Sequence, residues 1–270
     1  MQKRHAFRFE LLLIVLTYVL LACQAGTLVP SFFATATPTF TITPSPTATA
    51  TSTPTQAFTP TIVPDMSLET QVDGSSLFID NKAGFSVLIP STWVAIPANV
   101  DDFTPYVKGI SENNPQLEKA FSMLQKVDPN ILKIMAMDTN MEHYVGSFIP
   151  NMTVATMKDP IGSKLPLKNV VQIMGDTIKS QFPGAKLLDS GIEQVNSDFS
   201  YGYNEWNTSI NTQDDTAVKI FQKQVFFPIQ DYFVIMTLSA PASKYDDVLA
   251  EFETIMETIQ FLDRQSSTSG

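Results

Sequence analysis

The sequence predicts an α+β fold, an α/β/α sandwich in which helices flank both faces of a central, mainly antiparallel sheet. Four strand-like segments occur between residues 186 and 239, and the stretches between them are short and turn-like, as in consecutive antiparallel hairpins. The last of the four, YFVIMTLS, is apolar at both alternations, which indicates a strand covered on both faces. Two segments with apolar residues at helical spacing, beginning at Pro166 and Ser243, supply helices for those faces.

The folded part opens with a predicted hairpin. Strands over residues 77–80 and 85–89 are separated by the turn NKAG, in which Asn81 and Gly84 favour a tight reversal. Pro90 ends the second strand, and Trp93 just beyond it is assigned to the core.

The next segment predicts a helix and two further strands. In NNPQLEKAFSMLQKV, Asn114 can cap a helix and Pro115 can occupy its first position. The apolar residues that follow at helical spacing are Leu117, Ala120, Phe121, Leu124 and Val127. The strands cover about residues 132–137 and 153–157, and the loop between them contains His143.

A second helix leads into the meander of strands. It begins at Pro166 and is stopped by the Pro183-Gly184 pair. Its buried side is predicted to contain Leu167, Val170, Val171, Met174 and Ile178. The four strands of the meander follow over residues 186–194, 199–208, 217–227 and 232–239.

The last helix starts from a Ser-Lys-Tyr-Asp pattern at Ser243, which is typical of a capped N-terminus. Its apolar stripe consists of Tyr245, Val248, Leu249, Phe252, Ile255, Met256 and Ile259. Residues 264–270 are predicted to be a disordered tail.

The N-terminus has the parts of an export signal over residues 1–22. A basic start precedes an apolar run, 11–22, that is shorter than the roughly 20 residues of a spanning helix. The run ends in Leu-Leu-Ala-Cys, which resembles the bacterial lipobox, so Cys23 is the predicted site of lipidation. Acyl chains there would anchor the protein to the cell membrane, facing the extracytoplasmic side. The alternative is an ordinary secretory signal cut after Ala22 or Ala25.

Residues 23–64 are predicted to form a disordered tether beyond the lipidated cysteine. Between Gln24 and Pro64 there are thirteen Thr, seven Pro and no charged residue, a composition that cannot bury enough apolar surface to fold. Such a tether spans about 35 Å as a random coil. It is either an unmodified spacer or a carrier of O-linked sugars. The globular domain is then residues 65–263.

The charge of the chain bears on its partners. The formal net charge is −10, and removal of residues 1–22 would leave 14 basic and 26 acidic residues. Such a surface repels nucleic acid and anionic headgroups, so no nucleic-acid partner is expected.

The pattern of residues 77–263 resembles the PsbP-like family, which includes bacterial exported lipoproteins. The segments that carry the resemblance are NKAGFSVLIPSTW near the front and DYFVIMTLSAPASKYDDVLAEFETIMETIQF at the back. The resemblance implies an α/β/α sandwich and a mostly non-catalytic role. Relatives with this fold do different things, so fold alone does not settle function.

No catalytic residue, cofactor site or metal site is predicted. A Ser-His-acid site would have to use His143, but Ser86 lies in GFSVL, which lacks the second glycine of a nucleophile elbow. No Cys/His spacing fits zinc. Three adjacent acidic pairs, Asp101-Asp102, Asp214-Asp215 and Asp246-Asp247, lack the alternating ligands of a calcium loop.

One strand carries the only predicted ligand contacts. Tyr201 and Tyr203 are expected on one face and Trp206 on the other, since strand side chains alternate. With Asn204 and Glu205, the tyrosines can line a cleft for a sugar or peptide. Cross-strand packing accounts for them equally well.

The sequence therefore predicts a membrane-anchored lipoprotein with a non-catalytic binding or assembly domain, whose partner is a protein or a small ligand. The alternative is a lipoprotein that captures a small molecule or glycan in an aromatic-lined cleft.

Overall fold

The computed structural model describes residues 64–98, 131–195, 199–212 and 216–262. Two α-helices lie in these ranges, α1 (Leu167–Gln181) and α2 (Tyr245–Glu257). The strands are β1 (Met66–Thr70), β2 (Ser76–Asp80), β3 (Phe85–Ile89), β4 (Trp93–Pro97), β5 (Leu132–Asp138), β6 (Asn151–Lys158), β7 (Lys186–Gln194), β8 (Ser200–Asn211), β9 (Ala217–Ile229), β10 (Tyr232–Pro241) and β11 (Gln260–Phe261).

The strands form two sheets, and within each sheet every pair of neighbouring strands is antiparallel. The larger sheet has seven strands in the order β4-β5-β6-β10-β9-β8-β7. The smaller has four, in the order β1-β2-β3-β11. Strands β7 to β10 are neighbours in chain order, which confirms the predicted run of hairpins.

The predicted front hairpin is β2 and β3, and local contacts fix its turn. Asp80 Oδ1 accepts the Ala83 N–H at 2.7 Å, and the Gly84 N–H donates to the Asp80 carbonyl at 2.8 Å. Gly84 has φ +86°, a left-handed conformation that glycine adopts without a Cβ penalty. The glycine in the NKAG motif is therefore required by the turn.

Each face of the larger sheet has a core. One face packs against the smaller sheet and α2, with Phe78, Phe85, Val234 and Phe252 in the interior. The other packs against α1, through residues such as Met174 and Phe233. All ten residues of β10 are buried, so the prediction of a strand covered on both faces is confirmed.

The predicted helix-flanked sandwich holds only in part. One covering layer consists of α2 together with the four-stranded sheet, instead of helices alone. Three short strands, β1, β4 and β11, were not predicted from the sequence. β1 pairs with the adjacent β2, whereas β4 and β11 pair with strands distant in the chain.

Both described helices match their predicted apolar stripes, but one predicted cap is wrong. In α1, Val170, Met174 and Ile178 are buried. In α2, the residue before the first turn is Lys244, and no side chain caps the helix, so Ser243 does not have the capping role. The acidic pair at the first turn, Asp246 and Asp247, lies where it favours the helix dipole.

Several predictions concern residues outside the described ranges. These are the signal and Cys23, the tether up to residue 63, the helix over 113–127, two of the acidic pairs and the tail. Within the described ranges, no helix is both long and apolar enough to cross a membrane.

Candidate functional site: a cleft at the free edge of the large sheet

The aromatic residues of β8 lie on the two faces of the sheet, as predicted. Tyr201 is 4% exposed and packs in the core beneath the smaller sheet, while Tyr203 is half-buried beside it. Trp206 is 3% exposed and stacks on Phe182 in the opposite core, with ring centroids 5.6 Å apart. The three rings therefore do not line one common cleft. Their role in ligand contact stays a prediction, and Tyr203 is the only one with access to solvent.

A buried lysine organises the tyrosine face. The Lys223 side chain is 3% exposed, and its Nζ lies 3.3 Å from Glu253, 3.5 Å from Glu205 and 3.8 Å from Glu193. It also lies 5.2 Å from the centroid of the Tyr203 ring, a cation–π distance. Three carboxylates around one cation leave this face with excess negative charge.

The tyrosine hydroxyls join the same acidic surface. Tyr201 donates to Glu193, and Tyr203 donates to Asp189 Oδ2 at 2.9 Å. Burial and then the bond to Asp189 raise the pKa of Tyr203 to about 12. Burial raises the pKa of Tyr201 further, with Glu193 adding to the effect. Both hydroxyls are therefore neutral donors at physiological pH.

The opposite face contains a concavity, which we call the edge cleft. It has a volume of about 440 Å³ and lies between α1 and β7. Its helix wall is formed by Lys168, Val171, Gln172, Gly175, Asp176 and Lys179, and its sheet side by Leu187, Ser190, Gly191, Ile192 and Asn204. The volume is within the usual range for ligand sites.

Two features of the fold create the edge cleft. β7 is the last strand of this sheet in the part of the chain that the structure describes, so no described strand closes the outer side of the cleft. Gly175 faces the floor of the cleft, where a Cβ would come within 3.5 Å of Asn204 Oδ1. With glycine at this position, no side chain of residue 175 occupies the space beside Asn204.

Asn204 supplies an unused acceptor at the floor of the cleft. The residue is fully buried, and its Nδ2 donates to the Val171 carbonyl at 3.3 Å. Its Oδ1 has no hydrogen-bond partner among the described residues. A buried amide oxygen without a donor costs about 1–3 kcal/mol, so a donor supplied at this point would stabilise the protein. Asn204 was predicted to line a cleft together with Tyr201 and Tyr203, but the two tyrosines lie on the other face of the sheet.

The helix wall is cationic. Lys168 and Lys179 are exposed, and neither forms an ion pair within the described ranges. Asp176 is the one acidic residue lining the cleft. Two lysines against one aspartate is a local reversal of the net charge of −10.

A second concavity, of about 310 Å³, lacks such an acceptor. Asp80 lines it, but its carboxylate already accepts the Ala83 N–H at 2.7 Å and the Thr156 hydroxyl at 3.4 Å. It therefore provides no comparable reason to infer a ligand.

His143 is buried, and both of its ring nitrogens have partners. Nδ1 lies 2.5 Å from Asp138 Oδ2, and Nε2 lies 3.1 Å from Asn140 Nδ2. An ionised Asp138 fixes the proton on Nδ1, so Nε2 accepts from the Asn140 amide. Both ring nitrogens are then occupied, which leaves neither for proton transfer to a substrate. No group of potential metal ligands occurs among the described residues.

No protein-family model and no curated protein matches this chain. Among solved structures, it is similar to the cyanobacterial PsbP protein, CyanoP, of Synechocystis, at 11% identity over 76% of this chain and 97% of that one, with a TM-score of 0.41. It is also similar to LpqN of Mycobacterium tuberculosis, involved in cell envelope biogenesis, at 13% identity, 73% and 90% coverage and a TM-score of 0.39.

The yeast Ran-binding protein Mog1p of Saccharomyces cerevisiae gives 11% identity, 73% and 96% coverage and a TM-score of 0.40. The similar structures thus include a PsbP protein. Likeness at this level carries no argument about partners, and membership of the PsbP-like family stays a prediction.

Proposed function

We propose that this protein is a lipid-anchored, extracytoplasmic binding or assembly module that holds its partner, without catalysis, in the edge cleft. The observation that carries the proposal is the orphaned Oδ1 of the buried Asn204 at the floor of a cleft open to solvent. A partner that donates to this oxygen removes the desolvation penalty of the free protein.

The non-catalytic part of the proposal rests on the side chains around the cleft. Its lining contains amide, lysine and apolar groups, with one carboxylate and one serine. No histidine lies there to activate Ser190. The described histidine, His143, belongs to the pair with Asp138 on β5, several strands away.

Site-specific photo-crosslinking tests the binding role in the full chain. Benzoylphenylalanine in place of Ile192, at the mouth of the cleft, is expected to give a discrete adduct in intact host membranes. The matched control is the same probe at Val72, a fully exposed residue in the turn between β1 and β2. Equal adducts from both positions, or none from Ile192, would contradict the proposal.

An Asn204→Leu substitution separates binding from stability. Leucine has a similar volume and removes the unpartnered oxygen together with the long 3.3 Å bond to the Val171 carbonyl. The desolvation penalty exceeds the value of so long a bond, so we expect the free energy of unfolding to rise by up to about 1 kcal/mol, measured by chemical denaturation. The same substitution should abolish the Ile192 adduct. A variant that is less stable and still forms the adduct would show that Asn204 serves the fold alone.

The anchor has its own test. Cys23→Ala is expected to prevent incorporation of labelled palmitate and to release the protein from the membrane fraction, because the acyl chains would have no attachment atom. Gln24→Ala, one residue on, should leave both unchanged. Retention of the label in Cys23→Ala would exclude lipidation at this residue.

A further inference from the structure

We infer that the occupant of the edge cleft is an extended polypeptide segment that adds to β7 as an eighth strand, with acidic side chains facing α1 and basic side chains facing the Lys223 side of the sheet. This inference rests on the proposed function, since it specifies the chemistry of the partner held in the same cleft.

β7 provides a free sheet edge. It is nine residues long and ends the strand order of the larger sheet, so its outer backbone groups have no strand partner in the described ranges. The Ser190 N–H is bonded at 2.8 Å to the side chain of its own neighbour, Asp189. A free edge of this length is a template for strand addition.

The usual protections of an edge strand, which are charged residues and irregular pairing, are present in β7 beside a regular, partly apolar stretch. A register shift interrupts the pairing between Leu187 and Asp189, but the pairing is regular from Asp189 to Gln194. Leu188 and Ile192 expose 42% and 51% of their surface on this strand. Exposed apolar side chains beside unpaired backbone favour a binding edge over a blunted one.

The two sides of this edge differ in charge. The helix side presents Lys168 and Lys179 against Asp176. On the other side, the acidic surface consists of Asp189, Glu193, Glu205 and Glu253, and Lys223 lies among the last three.

An added strand would present its side chains to these two sides in turn, because strand side chains alternate. Its residues facing α1 would meet lysines, and those facing away would meet carboxylates. Charge complementarity therefore calls for acidic and basic residues in alternation. A side-chain or backbone donor on the α1 side would satisfy Asn204 Oδ1.

The dimensions of the cleft fit such a segment. The lining residues of α1 run from Lys168 to Lys179, about 16 Å at 1.5 Å per residue. Those of β7 run from Leu187 to Ile192, again about 16 Å at the rise of a strand. Five or so extended residues would fill this length.

A second copy of the chain fits the edge less well. Antiparallel self-pairing about Ser190 would place Leu188 opposite Ile192 of the second copy. It would also place the Asp189 and Glu193 of both copies on one face, with each Lys223 already surrounded by three carboxylates of its own copy. This concentration of negative charge favours a different polypeptide that brings basic residues.

Fluorescence anisotropy of the full chain in detergent tests the inference. The probe is a labelled nine-residue peptide with Glu at odd and Lys at even positions. The first control peptide contains the same residues with the Glu and the Lys in two separate blocks. As a strand it carries both charges on each face. A third version, N-methylated at alternate residues, keeps the charges but loses backbone donors. We expect the alternating peptide to bind about ten-fold more tightly than either control.

Charge reversal locates the peptide on the protein. Lys168→Glu with Lys179→Glu should weaken binding of the alternating peptide about ten-fold. Lys158→Glu with Lys219→Glu makes the same change in net charge at exposed lysines elsewhere and should not alter it. Thermal unfolding of both variants checks that they fold.

The opposite outcomes overturn the inference in different ways. Equal affinity for the block peptide would mean nonspecific charge attraction, and equal affinity for the N-methylated peptide would exclude strand addition. A dimer in sedimentation that Ile192→Lys disrupts would make a second copy the occupant. If no peptide binds while the Ile192 adduct persists, the partner is not an extended strand, although the binding role stands.

Discussion

Two charged residues of this protein, Lys223 and Asp138, are buried in different surroundings. Lys223 is compensated by three carboxylates that keep partial contact with water, whereas Asp138 is fully buried against a histidine. Burial of a charge is tolerated only when partners replace the lost water. The two residues should therefore respond differently to substitution and to pH.

Replacing Lys223 by Met keeps the length of the side chain and removes its charge. We expect the free energy of unfolding to fall by about 1–3 kcal/mol, because Glu193, Glu205 and Glu253 would then repel one another with no cation between them. Chemical denaturation measures this change. The control is Lys82→Met, whose pair with Asp65 is exposed and should matter by about 0.5 kcal/mol or less. Equal losses in the two variants would contradict the account.

Asp138 predicts a pH dependence of stability. Burial raises the pKa of its carboxyl, against the lowering effects of the Asn140 N–H and His143. The unfolded carboxyl ionises near pH 4, and the folded one ionises only at higher pH. Ionisation therefore costs the folded state more as pH rises through this window.

Asp138→Asn removes that cost and keeps an oxygen for the Asn140 N–H. Relative to the wild type, the variant should gain stability as pH is raised from about 3.5 to 7, in urea unfolding at each pH. A stability difference that is constant with pH, or that moves the other way, would mean that His143 holds the carboxylate charged in the folded protein.

At the scale of elements, α1 packs closely against the sheet because the strand residue at the contact is a glycine. A Cβ on Gly202 of β8 would lie 2.5 Å from the Phe226 ring and 2.8 Å from Val171 Cγ2. Gly202→Ala should therefore push α1 from the sheet and lower stability by about 1–3 kcal/mol. Gly184→Ala, with no atom within 4 Å, should be neutral or slightly stabilising. Thermal unfolding compares the pair, and similar melting temperatures would contradict the close approach.

Local patterns predicted those elements whose partners are near in sequence. The hairpins from β7 to β10 and the stripe of α1 depend on turns and on spacing, which the sequence displays directly. β4 and β11 could not be predicted in this way. β4 is five residues long and ends in Pro97, and β11 is two residues that pair with β3 from the far end of the chain.

The candidate site was predicted less well than the fold. Asn204 was noticed beside the tyrosines, but the edge cleft depends on which strand ends the sheet and on where α1 packs. Neither is visible in the spacing of residues, because both follow from the association of distant segments. The aromatic residues of a strand can be recognised in the sequence, whereas the missing hydrogen-bond partner of an amide oxygen can be recognised only in the structure.

At the scale of the whole molecule, the C-terminal strand joins the two sheets. Gln260 and Phe261 pair with β3, and the Leu262 N–H donates to the Gly84 carbonyl at 2.9 Å. The Phe261 ring meets Phe199 from the larger sheet with centroids 5.1 Å apart. The end of the chain thus closes the smaller sheet and packs against the larger one.

Truncation tests this role. A chain ending at Ile259 should lose about 1–3 kcal/mol of stability, since it lacks two strand pairings and an aromatic contact. A chain ending at Leu262 keeps them and should match the full length in the same denaturation experiment. Equal stability of the two truncations would show that β11 adds nothing to the fold.

The central position of β10 has a consequence for how the chain reaches this structure. The segment from Tyr232 to Ala242 contains no charge and, left unpaired, is prone to aggregate. Its two neighbours in the sheet, β6 and β9, both precede it in the sequence. A chain that emerges from its N-terminus, at a ribosome or a translocation pore, therefore presents the two flanking strands before the segment between them. The most aggregation-prone stretch is thus synthesised after both strands that pair with it.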